Sequence, residues 1–215
     1  MVRTPPAPQN LVTDAWIKAT WETYVTLADD PTYSKSRCYY DDGWMRIEMA
    51  ALGPLHGREN SIVSTLIILF ATLKNIRIVE LTNTTFRKPG TRDGQPDIAF
   101  YIGSAFQLPP RDNKPVNVEE FGAPQLAVEI ASTSLDDDLG RKRLLYERLG
   151  VQEYWVVDVA ASKVIAFEVF AGGSSQIQSS KVLPGLQVSR VEEALKRSQT
   201  EDDGAINRWL LKVFS

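Results

Sequence analysis

Hydrophobic positions recur along this chain with two different periods, and the switches between them mark its elements. Between residues 55 and 74, Ile62, Val63, Leu66, Ile67, Phe70 and Leu73 return every three or four positions, which predicts a helix. Asp136–Leu149 predicts a second helix, closed by Gly150 as a C-cap. Cys38–Tyr40 and Trp44–Met49 flank Asp41-Asp42-Gly43 and predict a β-hairpin, since Asp-Gly suits a turn with positive φ at both central positions. Strands are expected at 76–81, 84–88, 96–102, 126–130, 153–159 and 163–170. A Gly-Gly-Ser-Ser loop, a weak strand and helical text from about Val191 follow. Residues 103–124 read as loop. Residues 11–30, with Trp16, Trp21 and Tyr24, fit a short helix or an extended packed segment. The proline-rich first ten residues read as a mobile arm. No internal repeat is visible. The order predicts an α/β or α+β fold around one mixed sheet flanked by helices.

Strand parity then places two acids. In 96–102, Ile98, Phe100 and Ile102 share one face, while Asp97, Ala99 and Tyr101 share the other. In 126–131, Leu126, Val128 and Ile130 oppose Ala127, Glu129 and Ala131. Each strand has a bulky apolar face and a face carrying one acid beside alanines. If the strands are neighbours, Asp97 and Glu129 share a shallow groove, and a divalent cation would relieve their repulsion. The same pattern also fits acids on a solvated face or paired with lysine or arginine.

The helices add three candidates. Glu59 lies over the apolar stripe of the first helix, and His56 sits one turn before it, so His56 is expected beside Glu59. An acid there is also simply favourable in a first helical turn. On the second helix Asp138, Lys142, Leu145, Tyr146 and Leu149 form one stripe, so the Lys142 amine could reach over the sheet or pair with Asp138 at i, i+4. Arg141, Arg143 and Arg148 make this helix locally basic.

Composition narrows the chemistry. The 215 residues carry one histidine and one cysteine, His56 and Cys38, so an intrachain disulfide, a Cys-x-x-Cys pair and a two-histidine zinc site are excluded. A metal would be held by oxygen, which favours Mg2+ or Mn2+. The net charge of -3 argues against coating nucleic acid through bulk charge but leaves room for a local basic groove. The opening residues show no apolar signal region, and the longest apolar run, 66–71, is far too short for a membrane span. A cytoplasmic location with no membrane association is therefore expected.

Four motifs in succession carry a resemblance: Pro96-Asp97-Ile98-Ala99-Phe100; Leu126-Ala127-Val128-Glu129-Ile130-Ala131-Ser132; Asp138-x-x-x-Lys142-Arg143-x-x-Tyr146; and Gly150-Val151-Gln152-Glu153-Tyr154-Trp155-Val156-Val157-Asp158. Together they resemble the bacterial “putative restriction endonuclease” family abundant in cyanobacteria, a branch of the PD-(D/E)XK nuclease superfamily. The resemblance implies a restriction endonuclease-like mixed β-sheet flanked by helices. It divides the chain into an N-terminal arm and packed segment (1–36), a nuclease-like core (37–170) and a C-terminal extension packed on the core (171–215). It also implies that Asp97 and Glu129 are catalytic and hold Mg2+ or Mn2+, with Glu59 completing the metal site; the helix spacing puts His56 behind Glu59. The superfamily pattern has lysine two residues after the second acid, where this chain has Ala131. Lys142 is expected to supply the missing amine.

The implied activity is hydrolysis of DNA by metal-activated water. A homodimer would suit cutting of two antiparallel strands, although no sequence feature fixes one. The alternative, which Ala131 and the negative charge favour, is a catalytically weak or inactive module of the same fold that binds DNA or a protein. A two-carboxylate glycosidase fits less well, because only Tyr101 offers an aromatic platform near the acids.

Overall fold

The computed structural model describes residues 12–49 and 53–215, so the expected N-terminal arm lies outside the described residues. In chain order the elements are β1 (Ile17–Lys18), α1 (Trp21–Ala28), β2 (Arg37–Asp41), β3 (Trp44–Glu48), α2 (Pro54–Leu73), β4 (Ile78–Thr82), β5 (Phe86–Lys88), β6 (Arg92–Gly94), β7 (Ile98–Ile102), β8 (Val116–Asn117) and α3 (Val118–Phe121). Then come β9 (Leu126–Ala131), α4 (Leu135–Asp137), a π-helical segment (Asp138–Lys142), α5 (Arg143–Leu149), β10 (Glu153–Asp158), β11 (Lys163–Phe170), β12 (Gly173–Ile177), α6 (Val188–Arg197) and α7 (Asp203–Phe214).

Among the described residues the strands form two six-stranded sheets rather than one. Their orders are β1-β3-β2-β6-β5-β8 and β12-β11-β10-β9-β7-β4. The expected hairpin is present: Asp41 pairs with Trp44 across Asp42 and Gly43, whose φ values are +44° and +90°. It pairs onward with the short strand β6, which the sequence pattern did not mark, and so nucleates a sheet of its own. In the other sheet β9 and β10 run parallel, joined by the α4–α5 crossover, while β7 is antiparallel to β9. The crossover ends where expected: Gly150 takes φ +101°, and its N–H bonds back to Tyr146 and Glu147.

Parity decides what each face of this second sheet packs against. Ile98, Phe100, Leu126, Val128, Ile130, Trp155 and Val157 meet the stripe of α2 together with α6 and α7. Each such fully buried side chain stabilises by about 1.5–3 kcal/mol relative to exposure. The tail thus forms two helices: α6, which starts earlier than expected, packs on β11 and α2, and α7 packs on α2. The opposite face, with Ala99, Tyr101, Ala127, Ala131, Tyr154 and Val156, packs against α5 and against Tyr39, Phe86 and Val116 of the first sheet. The outer face of that first sheet carries Cys38, Tyr40, Met45 and Ile47 under Tyr24 and Leu27 of α1. Cys38 is a buried core residue there.

Candidate active site

The small residues in β7 and β9 leave room for polar side chains between the sheets. Register sets Ile98 opposite Val128, so Asp97, one residue earlier, falls opposite Glu129 at the end of the ladder. The Ile130 N–H donates to Asp97 Oδ2 at 2.7 Å, and His56 Nε2 lies 3.0 Å from Oδ1. Arg37, at the start of β2, donates from Nη2 to the same Oδ1. Its Nη1 is 4.0 Å from Glu129 Oε2. One guanidinium therefore faces both acids. Glu129 Oε1 accepts from the Tyr146 hydroxyl at 2.8 Å, a bond that ties the acid to α5.

A second polar group lies on the same face. Lys142 Nζ is 2.9 Å from Glu48 Oε1 and 2.9 Å from Asp138 Oδ1, and it sits 4.4 Å from the centre of the Tyr39 ring. Arg46 Nε donates to Glu48 at 2.8 Å, and the Ser134 hydroxyl donates to Asp138 at 2.6 Å. The π-helical segment carries both Asp138 and Lys142 inward at the start of the crossover. Segments of this kind are common at functional sites.

Burial and partners set the charge states. Burial would raise the Asp97 carboxyl, but the His56 hydrogen bond and the Arg37 guanidinium outweigh it and hold Asp97 at about 2. Glu129 goes the other way: burial pushes it well above the usual carboxylate range, and the opposing charges of Lys142 and Arg37 do not offset that. Burial works against the Lys142 ammonium, yet Tyr39, Glu129, Asp138 and Glu48 raise it well above its ordinary value on balance. These partners favour the charged form of Lys142.

The structure brings Asp97, Glu129 and His56 into one cluster and places Lys142 on the same face, held by Glu48 and Asp138. It does not bring Glu59 there. His56 pairs with Asp97, not with Glu59. Glu59 instead faces α6, where the Ser198 hydroxyl donates to its Oε1 at 3.2 Å and its Oε2 has no hydrogen-bond partner among the described residues. The divergence has a simple cause, because α2 runs under the opposite face of the sheet and only its first turn reaches Asp97 at the strand end. Sequence reasoning missed Arg37 and Glu48, and gave Tyr146 no role. Parity in β2 sets Arg37 and Tyr39 opposite Cys38 and Tyr40, but pairing of the two sheets is a non-local fact.

Among the described residues no group of three or more His, Cys, Asp or Glu side chains is arranged to hold a metal. What the chain offers is two carboxylates facing a single position filled by its own cation. That donor set fits Mg2+ or Mn2+, because magnesium is usually bound through one or two carboxylates and takes its remaining ligands from water and substrate phosphate.

A family model described as “Putative restriction endonuclease” matches residues 21–203. Among solved structures, the protein is similar to a crystal structure of a “putative nuclease” from Anabaena variabilis. The two share 16% sequence identity, the TM-score is 0.55, and the match covers 82% of this chain and 99% of that one. At this identity the likeness is one of fold, a mixed-sheet α+β architecture flanked by helices. No curated protein matches in sequence.

Proposed function

The chain belongs to the “putative restriction endonuclease” family, and on that premise we propose that it is a metal-dependent endonuclease hydrolysing DNA phosphodiester bonds. The observation that carries this reading is the convergence of Asp97 and Glu129 on one cation position. Asp97, fully ionised, and Glu129, oriented by Tyr146, are the two side chains that would hold Mg2+ or Mn2+. Such an ion supplies charge stabilisation at the scissile phosphate and an activated water. His56 fixes the Asp97 carboxylate from the side of α2. Lys142 takes the electrostatic part of the lysine that Ala131 replaces: it raises the local positive potential toward Glu129 but removes no proton. Glu59 is left out of this mechanism, because it faces Ser198 on α6 rather than the Asp97–Glu129 cluster.

DNA as substrate and a cytoplasmic, homodimeric state belong to the same proposal. Family membership supports DNA, and among the described residues no helix is long and apolar enough to cross a membrane. A second reading, a catalytically inactive module that binds DNA or protein, draws support from the burial of the cluster: Asp97, Glu129 and Lys142 are each 1% exposed. Supercoiled plasmid with Mg2+ or Mn2+ separates the two. Nicking that needs metal and disappears in Asp97→Ala supports the endonuclease. DNA retention without nicking supports the module. Equal nicking by both proteins would mean a contaminant and leave the proposal without support.

A further inference from the structure

The residue that faces both acids was not among those expected to act, and its position is specific. Arg37 donates to Asp97 Oδ1, lies 4.0 Å from Glu129 Oε2, and its Nη2 also donates to Asn83 Oδ1 at 2.9 Å. Its side chain is 12% exposed, against 2% for each of the acids, so it is the part of the cluster nearest solvent. Asn83 is itself exposed and is anchored to the same strand end, its N–H donating to the Asp97 carbonyl at 3.1 Å. It also lines a polar cavity of about 590 Å³ together with Thr84, Thr85 and Gln95. The guanidinium thus has a second polar partner, Asn83, on its outer side, and it is Asn83, not Arg37, that borders the cavity.

Two cations cannot occupy one position between the same oxygens. A divalent ion gains about twice the Coulomb attraction of a guanidinium at equal distance. It binds, however, only in the fraction of molecules from which the guanidinium has withdrawn, and its apparent affinity falls by that fraction. The planar fork of the displaced arginine matches a phosphate in two-point geometry, at the point where a backbone would approach the ion.

We propose that Arg37 is an exchangeable internal cation: it fills the position between Asp97 and Glu129 in the metal-free protein, yields it to a divalent ion, and then binds the substrate phosphate from the Asn83 side. This rests on the metal-site reading above, and deepens it by assigning a residue that couples metal binding to substrate binding.

The test compares the wild-type protein with Arg37→Ala in two measurements. Mn2+ binding is followed by electron paramagnetic resonance of the free ion, and duplex binding by anisotropy with a phosphorothioate-protected DNA. The expected result is opposite in sign: Mn2+ binds about tenfold more tightly to Arg37→Ala, while DNA in the presence of Mn2+ binds about tenfold more weakly. A merely structural role for Arg37 would weaken both. Millimolar guanidinium added to Arg37→Ala should compete with Mn2+, and should have no such effect on the wild type. If Arg37→Ala folds poorly, Arg37→Lys reads the same exchange, because an ammonium cannot span both acids; both changes then keep their signs at smaller size. Equal Mn2+ affinity in variant and wild type overturns the exchange alone and leaves the metal site standing. Undiminished DNA affinity overturns it too. Absence of Mn2+ binding in every protein removes the metal site and this proposal together.

Discussion

Asp97 and Glu129 face the same guanidinium yet are driven in opposite directions, and each predicts a different experiment. Asp97, held at about 2, is depressed below its unfolded value of 3.8. Its contribution to stability is therefore present above about pH 4 and is lost as pH falls through about 2. On that basis the wild type should lose about 2 kcal/mol more than Asp97→Asn between pH 5 and pH 2, read from urea midpoints. Glu129 depends on the Tyr146 hydroxyl for its one close hydrogen bond among the described residues. Tyr146→Phe should cost about 1–3 kcal/mol of unfolding stability, the usual consequence of leaving a buried acceptor unsatisfied. The acids themselves were legible in the sequence because strand parity is local: an acid among alanines, opposite a row of branched side chains, has to face the other layer. Arg37 was not legible, because its role depends on a contact between two sheets.

At the scale of elements, the crossover from β9 to β10 does most to shape the site. Its π-helical start turns Asp138 and Lys142 inward, and its α-helical end brings Tyr146 to Glu129. The sequence marked this stretch as one helix, and its Gly150 cap was readable, but the change of helical pitch was not, since side-chain periodicity does not encode it. Lys142 is paired with two buried acids, so Lys142→Met should destabilise by about 3–5 kcal/mol in thermal or urea unfolding, as expected when one partner of a buried pair is removed. The crossover also lies tight against β6. A methyl group on Gly94 would meet Leu145 Cδ2 at 2.8 Å and the Tyr146 ring at 3.1 Å. Gly94→Ala is therefore expected to lower stability by about 1–3 kcal/mol, an overpacking cost, and to loosen the Tyr146–Glu129 bond. The expected strand list missed β6 altogether, because three residues with two polar side chains carry no period.

The whole molecule assembles these pieces from two sheets of unequal task. One sheet, with α2, α6 and α7 over its apolar face, provides the rigid platform from which Asp97 and Glu129 project. The other closes over them and contributes Arg37, Tyr39 and Glu48. The architecture was readable as α+β with helices flanking a mixed sheet, and the motif succession was readable as a family. The division into two sheets was not, since nothing in a hairpin's own sequence says which partner its edge will find. Glu59 shows the same limit from the other side: helix periodicity placed it on a buried face correctly, but which buried face depended on where α6 packs.

In the proposed site Asp97 and Glu129 together hold a divalent ion. Anomalous diffraction from crystals equilibrated with millimolar Mn2+ tests it most directly. A single strong peak is expected about 2.1 Å from one oxygen of each acid, with the Arg37 guanidinium moved off that position. A peak at another site, or none between Asp97 and Glu129, would contradict it.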